Sequence, residues 1–231
     1  MDNEQGLNIL ARLPPDLQGQ IPDNIACNST LNVAAGALPE AILNHSLRVY
    51  LLAKWLADKE GNNLQDTKLS LLFLACICHD FGASDQYNGS QRFEIEGADA
   101  ASNLCASHGI PPDECHKVWT AIALHTSPGI AERIDPFTRL VRLGVKLDFS
   151  QASRDAYGAQ IYSSEIELLL PRLHIEKVLA DAVVKQARKI PDKVDSMTWP
   201  DSEKHPKASW PGMLLRAHIE NVGYNGVNPA F

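Results

Sequence analysis

The sequence predicts an all-α domain, and three observations carry that expectation. Apolar residues recur at three- and four-residue steps in one segment after another; Gly, Pro and Asp-Pro punctuate the segments where helices should end or begin; and no region is strand-rich. With 231 residues, 45% of them hydrophobic, the chain can bury one substantial core.

Residues 1 to 37 are rich in Pro, Gly, Asn and Gln with only short apolar pieces, which predicts an irregular N-terminal arm ahead of a single domain over 38–231. From Pro39 the pattern changes. Ile42, His45, Val49, Leu52 and Leu56 share one face of a helix that runs to about Lys59 and stops at Gly61. Asp66-Thr67 can cap a second helix, from Lys68 to about Asp80, apolar almost all round and therefore central, with Gly82 ending it. A polar loop, Ala83 to Gln91, precedes a third helix, Glu94 to His108, stopped by Gly109. Pro111-Pro112 opens a fourth, which carries Val118, Ile122 and His125 in register and breaks at Ser127-Pro128-Gly129. Asp135 caps the next, with Pro136 at its first position; it runs to Phe149 and carries Leu140, Leu143, Leu147 and Asp148. Residues 150 to 165 give no clear pattern. Pro171 starts a helix to about Lys189, a loop is expected near 190–209, and Trp210 to Val222 can form a last helix, about seven in all.

Charge and composition narrow the function. A balance of 21 Lys+Arg against 28 Asp+Glu leaves no basic stripe for a phosphate backbone or an anionic membrane surface, so neither nucleic acid nor membrane is an expected partner. The longest apolar run, Leu69 to Cys78, suits a buried helix rather than a bilayer span. The N-terminal residues carry no export-signal pattern, and Cys27, Cys76, Cys78, Cys105 and Cys115 read as reduced thiols, so a cytoplasmic location is expected. Trp199-Pro200 and Trp210-Pro211 read as anchors that could pack on another subunit, a possible homo-oligomer.

The chemistry lies in the ionisable residues set into apolar helices. His45, the pair His79-Asp80, His125 and Asp148 fall on or beside apolar stripes, where a lone titratable group is costly to bury. Imidazole and carboxylate groups converging from different helices make a divalent-metal site, and two His with two Asp suit zinc, with Fe2+ or Mn2+ as alternatives. Taken singly, each of these residues has a plainer reading as a core histidine or a helix cap. Their order is what raises them above it.

Asn44-His45-Ser46-Leu47-Arg48-Val49, Cys78-His79-Asp80-Phe81-Gly82 and Lys146-Leu147-Asp148 resemble the H…HD…D signature of the HD-domain superfamily, over about residues 38 to 150. The resemblance implies an HD-type helical bundle whose metal ligands are His45, His79, Asp80 and Asp148. Many HD phosphohydrolases carry a Lys shortly after the HD pair, and this chain has none. Phe93 stands four residues before Gly97-Ala98, where two-metal members place a further His, which argues for one metal. Arg92-Phe93-Glu94-Ile95-Glu96-Gly97 and Ala123-Leu124-His125-Thr126, with the residues around His45, look like the cyanamide hydratases, HD proteins that add water to a carbon–nitrogen triple bond.

That likeness implies a hydro-lyase acting on cyanamide or a related small nitrile or isocyanide through metal-bound hydroxide. His125 is then the candidate proton donor, and Asp80 both a ligand and able to steer the water. Glu94 is a candidate for proton shuttling or for orienting a substrate amino group, and otherwise a helix-start residue. Phe93, Thr126 and Asn44 are the substrate-binding candidates, with Asn44 also able to brace His45; Arg48 and Lys54 read equally as surface charges. The competing expectations are a metal-dependent phosphohydrolase acting on a nucleotide or small phosphate ester, and a metal-binding scaffold without catalysis.

Overall fold

In the computed structural model, residues 9–189 are described, and among them every regular element is helical. A 3-10 turn at Leu10–Arg12 leads into α1 (Pro15–Gln18), α2 (Ile25–Ala37), α3 (Glu40–Lys59) and α4 (Asp66–Cys78). A second 3-10 turn, Phe81–Ala83, precedes α5 (Phe93–Ser107) and α6 (Pro112–Leu124). The rest of the bundle is α7 (Ala131–Ile134), α8 (Pro136–Phe149), α9 (Gln151–Tyr157), α10 (Gln160–Leu169) and α11 (Ile175–Lys189). The expected late loop and last helix, with the two Trp-Pro pairs, lie outside the described residues.

Helix α3 is the axis of the bundle. It lies against α8 on one side and α4 on the other, while α5 and α6 pair with each other and α6 reaches both α4 and α8. Its apolar face is set by Ile42, Val49, Leu52 and Leu56, all buried at the predicted spacing. Gly144 lets α8 come close: a Cβ there would sit 2.6 Å from the Val49 carbonyl oxygen. Four residues on from Gly144 is Asp148, and four back from Val49 is His45. The close approach therefore brings those two side chains together on adjoining antiparallel faces.

Several expectations are corrected. The arm is not irregular throughout, because Ile25–Ala37 is helical, capped by the Asn24 side chain, and turns Cys27, Thr30, Leu31 and Ala34 onto α4. Their i, i+3, i+4, i+7 spacing is helical, but small and polar residues make it faint. Asp66 is the first residue of α4 rather than its cap, which is Gln65. Gly82 does not act as a helix stop; it sits in the 3-10 turn, where a Cβ would lie 1.8 Å from the Phe93 carbonyl oxygen. It is needed because the turn after α4 runs backbone to backbone against the start of α5. The patternless stretch after 150 holds α9 and the start of α10, separated by Gly158 at φ 66°. The next helix starts at Ile175 rather than Pro171, since Leu173 and His174 have φ of 51° and 58°, outside the helical region. Asp135 caps α8 as expected, its side chain accepting from the Phe137 and Thr138 amides. No helix among the described residues is long and apolar enough to cross a membrane.

Candidate metal centre

His45 projects from the middle of α3, while His79 and His125 each occupy the C-cap of a helix, α4 and α6. At a helix end the last carbonyls lack the usual i+4 amide partner, and each ring bonds one of them. His79 Nδ1 lies 2.7 Å from the Cys76 carbonyl oxygen, and His125 Nδ1 lies 2.6 Å from that of Ile122. A carbonyl only accepts, so each ring carries its proton on Nδ1 and presents a bare Nε2. His45 reaches the same state by another route, donating from Nδ1 to Asp148 Oδ2 at 2.7 Å.

The consequence is a cluster of inward-facing donor atoms with no proton between them. His45 Nε2 and His79 Nε2 stand 3.2 Å apart, lone pair facing lone pair, with Asp80 Oδ2 at 3.6 and 3.4 Å from them. All three residues are buried, and Asp80 Oδ2 has no hydrogen-bond partner. Burial also pushes the His45 pKa below the ordinary imidazole range, against the pull of Asp148, so a shared proton is a poor filler. A divalent ion resolves the contact. His45, His79 and Asp80 can each offer one ligand atom to it.

The other candidates fall around this group. His125 is buried, its Nε2 3.8 Å from Asp80 Oδ1, the oxygen other than the one facing His45 and His79. Burial first, then His79 and Arg142, hold its pKa well below the usual value. Phe93 meets the His125 ring edge-on, with centroids 5.7 Å apart. Glu94 is fully buried, clamped by Arg92 through bonds of 2.6 and 3.0 Å, and accepts from the Thr126 hydroxyl at 2.5 Å. That arrangement suits a brace between α5 and the end of α6 better than a proton shuttle.

Two residues stand elsewhere than expected. Asn44 donates to the Pro171 carbonyl, turned toward the α10–α11 connection rather than the imidazoles. Asp148 is outside the group of three. Arg48 grips it with Nε on Oδ1 at 2.7 Å and an NH2 bond of 2.8 Å to Oδ2, and Arg172 lies 3.5 Å from Oδ1. Although burial opposes it, the charges of Arg48 and Arg172 keep Asp148 well below the usual carboxylate range. Reading the sequence missed this arginine cluster. Arg48 could have been found, since it lies three residues after His45 on the same helix face; Arg172 had no signal. A surface groove lined by Asp99, Asn103, His116 and Trp119 contains none of the buried imidazoles.

Fold and site together define a class of protein: a helical bundle with a buried histidine and aspartate group suited to a divalent ion. The chain belongs to the HD domain family, which it matches over residues 42–165, a span holding His45, His79, Asp80, His125 and Asp148. HD domains bind divalent metals and are generally metal-dependent enzymes, most often phosphohydrolases. No curated protein matches the chain.

Proposed function

We propose that this HD protein is a hydro-lyase of the cyanamide hydratase kind, adding water to the carbon–nitrogen triple bond of cyanamide or a similarly small nitrile or isocyanide. The observation that carries the reading is enclosure: His45 and His79 are 0% exposed and Asp80 and His125 1%, with Phe93 walling His125. Such enclosure favours a linear molecule of a few heavy atoms over a nucleotide, which needs an open mouth and free cations. The arginines that touch the site residues are already engaged, Arg48 with Asp148, Arg92 with Glu94, and Arg142 with Glu132 and the His125 carbonyl.

His45, His79 and Asp80 would hold the metal, zinc being the natural choice for this donor set. When bound, the ion supplies Lewis acidity, making a water reactive at neutral pH. The rest of the chemistry belongs to side chains. His125 enters neutral, with Nδ1–H committed to Ile122, so Nε2 first accepts the proton released as water adds to the carbon. The resulting imidazolium returns that proton to the nitrogen, which carries the displaced electron pair. Expected as a donor, His125 serves as base and then as acid. Asp80 Oδ1 faces Nε2 and steadies the transient charge, and Glu94 fixes Thr126 and with it the end of α6.

The test is bound metal by elemental analysis and urea formation from cyanamide, for wild type and Asp80→Ala. One metal per chain with urea production, both lost in the variant, is expected. Bound metal with turnover of phosphate esters but no urea would replace this reading with a phosphohydrolase; bound metal with neither would leave a scaffold.

A further inference from the structure

All five cysteines are free thiols, and two of them meet away from the metal centre. Cys105 lies in the last turn of α5 and Cys115 in the first turn of α6. The connection between them is tightly built. Gly109, at φ 73°, closes α5: its amide donates to the Ala106 carbonyl at 3.0 Å, and the Ile110 amide donates to that of Cys105 at 3.2 Å. Pro111 and Pro112 then start α6, and the Cys115 amide bonds the Pro111 carbonyl at 2.9 Å.

Across this turn the Cys105 thiol donates to Cys115 Sγ, and the Cys115 thiol donates to the Ile110 carbonyl at 3.3 Å. The two differ in access. Cys115 lines the surface groove with Asp99, His116 and Trp119, and Cys105 lies beneath it, 1% exposed. Cys27, Cys76 and Cys78 are instead sealed in the core. Burial raises both thiols of the pair, Cys105 to about 12, while the bond between them favours ionisation of Cys115, the thiol at the groove.

We propose that Cys105 and Cys115 are a disulfide-forming pair, oxidised by a small hydroperoxide that reaches Cys115 from the groove, and that the bond staples the α5–α6 hairpin. With hydrogen peroxide, the Cys115 thiolate attacks one oxygen; the S–O bond forms, the O–O bond breaks, and the departing hydroxide takes up the thiol proton as water. The Cys105 thiolate then attacks the Cys115 sulfur; the S–S bond forms, the S–O bond breaks, and hydroxide leaves with the Cys105 proton as a second water. The two thiols are oxidised and the peroxide is reduced. Buried thiols react slowly, so the pair responds to sustained oxidation rather than to a pulse. At their other ends α5 and α6 carry Phe93, Glu94 and His125, so the staple joins the two helices beside the metal centre without entering it.

The test is treatment of the folded full chain with hydrogen peroxide, alkylation of the remaining thiols, and mass mapping against a reduced control. Residues 93–117 form one tryptic peptide, which should be unalkylated and two hydrogens lighter. Cleavage after Glu114 should give two pieces that separate only on reduction. The oxidised chain should melt roughly 5–10 °C above the reduced one, the shift expected from closing a loop of about 11 residues. In Cys105→Ser the reaction should stop at a Cys115 sulfenic acid, which dimedone traps, and in Cys115→Ser Cys105 should stay reduced. A 93–117 peptide that remains fully alkylated, or is bonded to a second chain, would overturn the pairing, as would sulfinic acid on Cys115 beside an alkylated Cys105. Dimedone on Cys105 in Cys115→Ser would overturn the assignment of Cys115 as the attacking thiol. An unchanged or lower melting temperature would overturn the staple. Mapping and melting use wild type, so they decide even if a serine variant does not fold.

Discussion

The imidazoles of this centre are held in two ways. His79 and His125 are fixed from within three residues, each by a carbonyl at the end of its own helix. His45 sits in mid-helix, where the carbonyls of its own turn are engaged in the helix ladder, so its Nδ1 proton needs an acceptor from elsewhere. Asp148 supplies it from 103 positions away in sequence, and Arg172 supports that carboxylate from a turn further on. A ring at a helix end is thus oriented by backbone and comes nearly free with the fold. A ring in mid-helix requires a buried charge, and that charge requires countercharges.

The largest effect expected from breaking the second arrangement is on stability. Arg48→Met removes the bidentate partner of Asp148 and leaves a buried carboxylate with weaker compensation, which should cost about 3–5 kcal/mol. Denaturant unfolding of the metal-free protein measures it. A loss below about 1 kcal/mol would mean that Arg154 and Arg172 suffice, and that the network is looser than its distances indicate.

The imidazoles and the carboxylate divide by pH. His45 and His125 have pKa values lowered by burial, so between their folded values and about 6.5 the unfolded chain binds more protons than the folded one. Their contribution is fully present above pH 6.5 and is lost as pH falls below it. Asp148 also has a lowered pKa, so its contribution is present above the ordinary Asp value and is lost only in stronger acid. The metal-free protein should therefore lose stability in two stages on acidification. His125→Gln should remove part of the first stage and leave the second. A single transition at carboxylate pH in wild type would show that the imidazoles are not held neutral.

This difference also explains what could be read from the sequence. His79-Asp80 and His125 stand out because local sequence makes them, at the ends of apolar helices before Phe-Gly and Thr-Ser-Pro. His45 is legible from the stripe it shares with Ile42, Val49 and Leu52. The faces of α3, α4, α6 and α8 follow from the same spacing. What was not legible depends on distant parts of the chain. The acceptor of His45, the burial of Arg48 and the entry of Arg172 all follow from how closely α8 meets α3 and where the α10–α11 turn falls. Helix α2 escaped for another reason: Thr30 and Ala34 are buried by α4 rather than by their own hydrophobicity. Glu94 and Thr126 were named one by one, but their bond across α5 and α6 joins residues 32 apart, and no local pattern encodes it.

The smallest effect sharpens the contrast most. Asn44 neighbours His45 and reaches the same turn, donating to the Pro171 carbonyl at 3.1 Å, but it bypasses Asp148. Asn44→Ala should cost about 0.5–1.5 kcal/mol, the ordinary worth of one neutral hydrogen bond, and leave zinc affinity at the wild-type value. The Pro171 carbonyl keeps a bond from Arg48, so the turn remains tied to α3 without Asn44. If Asn44→Ala destabilised the metal-free protein as much as Arg48→Met, the tie to the turn alone would account for both losses. The difference between the two variants therefore separates that tie from the grip on the carboxylate.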